Sequence, residues 1–255
     1  MSTAVTADAR PGRDRRPSLA RLTRVELRKM VDTRSGFWLL LAVAALMLLV
    51  VVVVQIAGND HDRILREVLS ATVQTGAVLL PVVGVLLVTA EWGQRTALVS
   101  FALVPDRLRV IVAKVLAGLS LALVAFGVAL LLAAISVAVA PSGADDVWSL
   151  PLSLLGQDVL YAVLAMLMGL AFGAAFLSSA PAIVLYFGLP IAISALGAIS
   201  AISGTMDWLD TGAFAPLTEE IVGGKDWGQV LTAALLWIAL PLAIGAWRIR
   251  RNEVK

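Results

Sequence analysis

Two charge pairs stand out in a chain otherwise poor in charge. Glu26 and Lys29 lie three residues apart, and Glu91 and Arg95 four apart, spacings that bring opposite charges together on one helix face. Such pairs brace a helix or hold a contact; neither supplies a nucleophile with its base. Glu219-Glu220 has the look of an intramembrane-protease glutamate pair, but Gly224 stands four residues on where that motif has Arg. The single histidine, His61, sits in the turn-forming run Asn59-Asp60-His61-Asp62, and the chain has no cysteine. Thiolate nucleophiles, disulfides, cysteine zinc sites and iron–sulfur ligation are therefore excluded. No G-x-x-x-x-G-K-[ST] loop is present, and Gly223-Gly224-Lys225-Asp226 lacks its spacing. There is no Gly-x-Ser-x-Gly, and the acids do not follow a D-x-[DN]-x-[DN]-G metal loop. The legible chemistry is that of charge contacts, so no catalytic residue, no metal and no cofactor bound by this chain are expected.

The surroundings of those charges explain why they matter. Of 255 residues, 60% are hydrophobic and only 15% charged, against about 25% charged in soluble domains, and the mean hydropathy is +0.91. A soluble core of this size cannot absorb so many apolar side chains, and a disordered or collagen-like chain is equally excluded. A polytopic membrane protein remains. About 20 apolar residues span a hydrocarbon layer of roughly 30 Å. Charge-free runs of that order are Phe37–Ala57, Val68–Ala90, Val115–Ala144 and Trp227–Trp247; Val159–Met206 is long enough for two, with a break at Leu177-Ser178-Ser179-Ala180-Pro181. Six spans are predicted, at about 37–57, 68–90, 110–140, 157–177, 181–205 and 228–247.

With the N-terminus in the cytoplasm, 17 of the 20 Lys+Arg fall inside and eleven of the 18 acids outside, as the positive-inside rule prefers. Both termini are therefore predicted cytoplasmic. Residues 1–17 read as a disordered basic tail, and 248–255 as a basic cytoplasmic tail. The long basic start does not match a cleaved signal peptide.

Residues 18–36 read as an amphipathic interfacial helix, with Leu19, Leu22, Leu27, Met30 and Val31 on one side and Arg21, Arg24, Arg28 and Asp32 on the other. Thr23 and Glu26 interrupt the apolar side; Lys29 is the nearby partner for the Glu26 carboxylate. The loop 91–109 joins Glu91-Trp92-Gly93-Gln94-Arg95-Thr96 to Pro105-Asp106-Arg107 through an apolar stretch, forming a short helix braced against the membrane. Lys114 is expected to snorkel to the headgroups. The outer loop Met206–Gly228 carries five acids against Lys225, interface anchors Trp208, Phe214 and Trp227, and a short helix opening at Pro216 with Glu219 and Glu220 in it. Ala165, Gly169 and Gly173 form a small-residue stripe suited to packing within the chain. Gly and Pro in spans two and five, Pro81 and Pro190 among them, mark kink sites.

The order of these parts resembles the ABC-2 family of ATP-binding-cassette transporter permeases. The matching residues are Glu26-Leu27-Arg28-Lys29 before span one, Glu91-Trp92 with Thr96 after span two, and Pro105, Arg107, Ala113 and Lys114. The likeness runs from about residue 20 to the end, though Arg95 stands where the family often has Gly. The resemblance implies an all-α fold of six transmembrane helices preceded by the interfacial helix. It implies that Glu91, Trp92, Arg95, Thr96, Pro105 and Arg107 form a coupling helix on a separate ATPase subunit, flanked by Glu26, Arg28 and Lys29. Trp208, Phe214, Glu219 and Glu220 would belong to a lid over the outer mouth.

The same resemblance implies a permease subunit of an ATP-driven exporter, working as a homodimer or with a paired permease. ATP and Mg would be bound by the partner ATPase, and nucleic acid is not a partner. The setting is the lipid bilayer of a bacterial cell membrane. The cargo stays open among an amphipathic drug, a lipid and a peptide. The alternative reading is a non-transporting six-span immunity, sensor or scaffold protein.

Overall fold

In a computed structural model of the chain, residues 18–93, 107–140, 143, 146–199 and 203–251 are described, and among them every regular element is helical. α1 (Leu19–Asp32) opens at Ser18, whose hydroxyl accepts from the Arg21 N–H. Thr33 is an extended elbow. It closes α1 and caps α2 (Arg34–Ala57), its hydroxyl accepting from the Gly36 N–H. There follow α3 (Leu65–Gly93), α4 (Arg107–Val139), α5 (Leu152–Phe176) and α6 (Ser179–Gly197). α7 (Ser203–Leu209), a 3-10 turn (Thr211–Phe214) and α8 (Pro216–Glu219) are short. The last long helix is α9 (Gly224–Ala234), a π segment (Leu235–Ala239) and α10 (Leu240–Arg251) in continuous succession.

Among the described residues, six helices are long and apolar enough to cross a membrane: α2 to α6, and α9 through α10. An even count returns the chain to the end it started from. α1 and Arg248 accordingly lie at one end, the α1 end, where Arg248 donates to the Ala175 carbonyl at the close of α5. α7, the 3-10 turn and α8 lie at the other, the α8 end. The break expected near Pro181 takes a definite form. α5 stops at Phe176, Leu177 adopts the left-handed conformation (φ 54°), and Pro181 falls in the first turn of α6. The fifth helix closes at Gly197, short of the expected 205, while residues 200–202 lie outside the described set.

α3 and α5 form the centre, each with 61% of its apolar window buried, whereas α6 has only 6%. Small residues allow that central pair to approach. A Cβ on Gly169 would overlap the Pro81 backbone, and one on Gly84 would stand 2.8 Å from the Met166 carbonyl and the Leu170 nitrogen. The stripe through Gly169 and Gly173 thus packs inside the chain, and α10 uses Gly245 likewise against Ala174. Pro81 is absorbed within α3 and Pro190 within α6. The π segment lies just ahead of Pro241, which has no N–H to give the helix ladder; the Leu240 N–H bonds five residues back to Leu235.

Exposed tryptophans stand at both ends. Trp38 and Trp247 mark the α1 end, and Trp148, Trp208 and Trp227 the α8 end. Amphipathic rings take such positions at the two faces of a bilayer.

Candidate functional site

α1 packs on the bundle through the face that carries Leu22, Glu26 and Met30, a spacing of one helical turn. Glu26 and Met30 are buried, while Leu19 and Val31 of the expected apolar side are exposed. The polar residues that interrupted the apolar side are therefore on the packed side. Thr23 is half-buried, and its hydroxyl has no partner among the described residues.

Glu26 needs a cation, and two reach it from different elements. Lys29 Nζ lies 2.7 Å from Glu26 Oε1, the expected local pair, and 2.5 Å from Glu91 Oε1 at the end of α3. Lys114 Nζ on α4 lies 2.5 Å from Glu26 Oε2 and 3.4 Å from Glu91 Oε1, and donates to the Leu87 carbonyl at 3.0 Å. Two carboxylates and two ammonium groups make a neutral cluster, and Glu26, Glu91 and Lys114 are each under 10% exposed. Mutual pairing and full hydrogen bonding are what make such burial tolerable. Burial alone would depress the Lys29 ammonium, but the Glu26 and Glu91 carboxylates outweigh it and hold its pKa above the ordinary lysine value. Lys114 does not snorkel as expected: it is turned into the bundle, because two buried carboxylates and a carbonyl occupy its three donors.

Of the other residues expected beside this cluster, Arg28 is exposed and Trp92 half-buried at the end of α3. Arg107 opens α4. Arg95, Thr96 and Pro105 lie outside the described residues, as do residues 94–106 of the short helix expected in the 91–109 loop.

At the α8 end, Phe214 is buried and the Trp208 ring lies over Gly228. α8 opens at Pro216 as expected but ends at Glu219, with Glu220 already extended. The Glu219 and Glu220 carboxylates face outward; their backbone carbonyls do the binding. Arg66 donates to the Glu219 carbonyl, and the Gln157 amide donates to the carbonyls of Leu217 (3.2 Å) and Glu220 (2.7 Å). Gln157 Oε1 in turn accepts from the Val222 N–H at 3.2 Å, and the Ser70 hydroxyl donates to the Thr218 carbonyl at 2.7 Å. Trp237, carried on the π segment, donates to the Leu209 carbonyl at 2.7 Å and stacks on Phe172 (6.1 Å, 11°). Sequence reasoning passed over Gln157 and Trp237. The one available signal was a lone polar pair, Gln157-Asp158, at the head of an otherwise apolar span.

Among the described residues no group of His, Cys, Asp and Glu is placed to hold a metal. The ion cluster ties α1, α3 and α4 together. Compared with protein-family models and with curated proteins, the chain matches none. What the fold of the described residues defines is an all-helical, multi-pass membrane class: four apolar helices around a central apolar pair, with an ion cluster at one end and a strapped turn assembly at the other.

Proposed function

We propose that this chain is the membrane-spanning permease subunit of an ATP-driven exporter of the ABC-2 type, with ATP and Mg handled by a separate ATPase subunit and with a second permease copy as its mate. In this reading the α1 end faces the cytoplasm of a bacterial cell, and α1 lies along the membrane face. The observation that carries the proposal is the ion cluster. Glu26 and Lys29 on α1, Glu91 on α3 and Lys114 on α4 form one neutral unit, at the start of the 91–109 region that the resemblance assigns to ATPase docking. A displacement of α1 must move α3 and α4 or break buried charge contacts. Packed interfaces of this kind have discrete arrangements rather than continuous ones. The cluster is thus suited to pass a push from a soluble ATPase to the centre of the bundle, and the chain itself is no enzyme.

Glu91→Ala is the test. Expected, per amount of folded protein in the membrane, are loss of ATPase stimulation by the permease and loss of export. Unchanged export by Glu91→Ala would rule out the coupling role.

A further inference from the structure

Away from the ion cluster, a cavity of about 320 Å³ lies in the half of the bundle nearer α8. It is bounded by α3, α5 and α6 and roofed by the 3-10 turn through Thr211 and Phe214. Its volume is within the roughly 300–1,000 Å³ of ligand pockets. Three of its wall residues are exposed on the flank of the bundle: Val78, at mid-length of α3, and Phe187 and Ile191 on α6. The cavity thus lies beside the flank formed by α3 and α6, two helices that are apolar enough to span a membrane.

The lining is apolar apart from a few hydrogen-bonding groups, and among the described residues none of it is charged. Tyr161 and Tyr186 both line the cavity, and their hydroxyls have no hydrogen-bond partner among the described residues. Buried tyrosine hydroxyls normally find a partner. Gln74 donates its amide to Ser70 Oγ at 3.1 Å, which leaves its carbonyl oxygen as an acceptor. Tyr186 is held in place by edge-on contacts with Phe172 (6.0 Å) and Phe187 (4.8 Å).

Two groups that can both donate and accept, plus one acceptor, suit a hydroxyl better than a carbonyl alone. An anionic head would lose its hydration with no cation in the lining to meet it. We propose that this cavity binds an uncharged, hydroxyl-bearing amphiphile that enters laterally from the bilayer, its apolar body against Met168, Phe187 and Phe214. The inference deepens the exporter reading by giving its cargo a chemical class.

The test uses the full chain in phosphatidylcholine nanodiscs, without any ATPase, and a photoactivatable diacylglycerol. Expected is saturable labelling of residues 161–168 and 186–191, at least about tenfold above that from the matching phosphatidic acid, in which a phosphate replaces the hydroxyl. Ala165→Trp fills the cavity and removes the saturable labelling. The pair Tyr161→Phe with Tyr186→Phe weakens it about thirtyfold, two hydrogen bonds of about 1 kcal/mol each being at stake, and keeps the test decisive if the tryptophan variant does not fold. Unchanged labelling in the double tyrosine variant, or equal labelling by phosphatidic acid, would overturn the assignment. Either result leaves the ATPase partnership standing, and a missing ATPase would leave the cavity standing.

Discussion

Lys114 and Lys29 meet the same two carboxylates from opposite degrees of burial, and that difference sets their worth. The Lys114 side chain is 8% exposed and satisfied by three partners; that of Lys29 is 41% exposed. Removing a buried partner leaves uncompensated charge and costs roughly 3–5 kcal/mol, whereas a solvent-screened partner contributes about 0–1. Lys114→Met is therefore expected to lower the thermal midpoint in detergent far more than Lys29→Met does. The pH dependence follows from the raised Lys29 pKa. A folded-state value above the unfolded one gives stability that is complete below the ordinary lysine value of 10.5 and is lost only as pH rises through the higher folded value. The difference between wild type and Lys29→Met should thus be the same at pH 7 and pH 9; a difference that vanishes by pH 9 would contradict the raised pKa. The sequence already exposed Glu26 and Lys29 as a pair, because their contact is local. It could not show that Lys114 closes the cluster, since burial of a cation at a helix end depends on what α1 and α3 place opposite it.

At the scale of elements, helix identity was legible and helix contact was not. Apolar runs with flanking charge located the six long helices, since length and hydropathy are local properties. The Gly169–Gly173 stripe also read correctly as packing within the chain. Its partner did not read at all: Pro81 and Gly84 on α3 meet it across a long separation in sequence. That contact makes a clear prediction. Gly169→Val forces side-chain atoms into the Pro81 backbone, which cannot yield as a flexible side chain would, and should cost about 1–3 kcal/mol or prevent accumulation. Gly127→Ala, where nothing lies within 4 Å, should be neutral or slightly stabilising by the same thermal measurement. Equal effects of the two substitutions would mean that α3 and α5 do not meet there. The strapping of α8 was hidden for a similar reason: Gln157 and Arg66 grip backbone carbonyls, which every residue has, so the side chains of Glu219 and Glu220 gave no clue.

For the whole molecule, the even number of crossings places α1 and the last helix at one end, and the proposed reading puts that end in the cytoplasm. The absence of native cysteine makes the orientation directly measurable. Thr3→Cys should resist a membrane-impermeant maleimide in intact cells, and Asp60→Cys should react; the reverse pattern would invert the topology and remove the ion cluster from the reach of a cytoplasmic ATPase. A single construction principle then runs through the molecule: a rigid α3–α5 centre, a charge lock at one end, straps at the other, and a sparsely covered α6 beside a lateral cavity. The claim that gives these parts one purpose is the ATPase partnership. The most direct measurement is purification of the tagged full chain from its native membranes in mild detergent, with mass spectrometry and ATPase activity on the eluate. Co-purification of an ATP-binding-cassette subunit at near-equal stoichiometry, weakened in the Glu91→Ala variant, is the predicted result. A chain recovered without any such ATPase, in crosslinked preparations as well, would contradict it and favour a six-span immunity, sensor or scaffold protein.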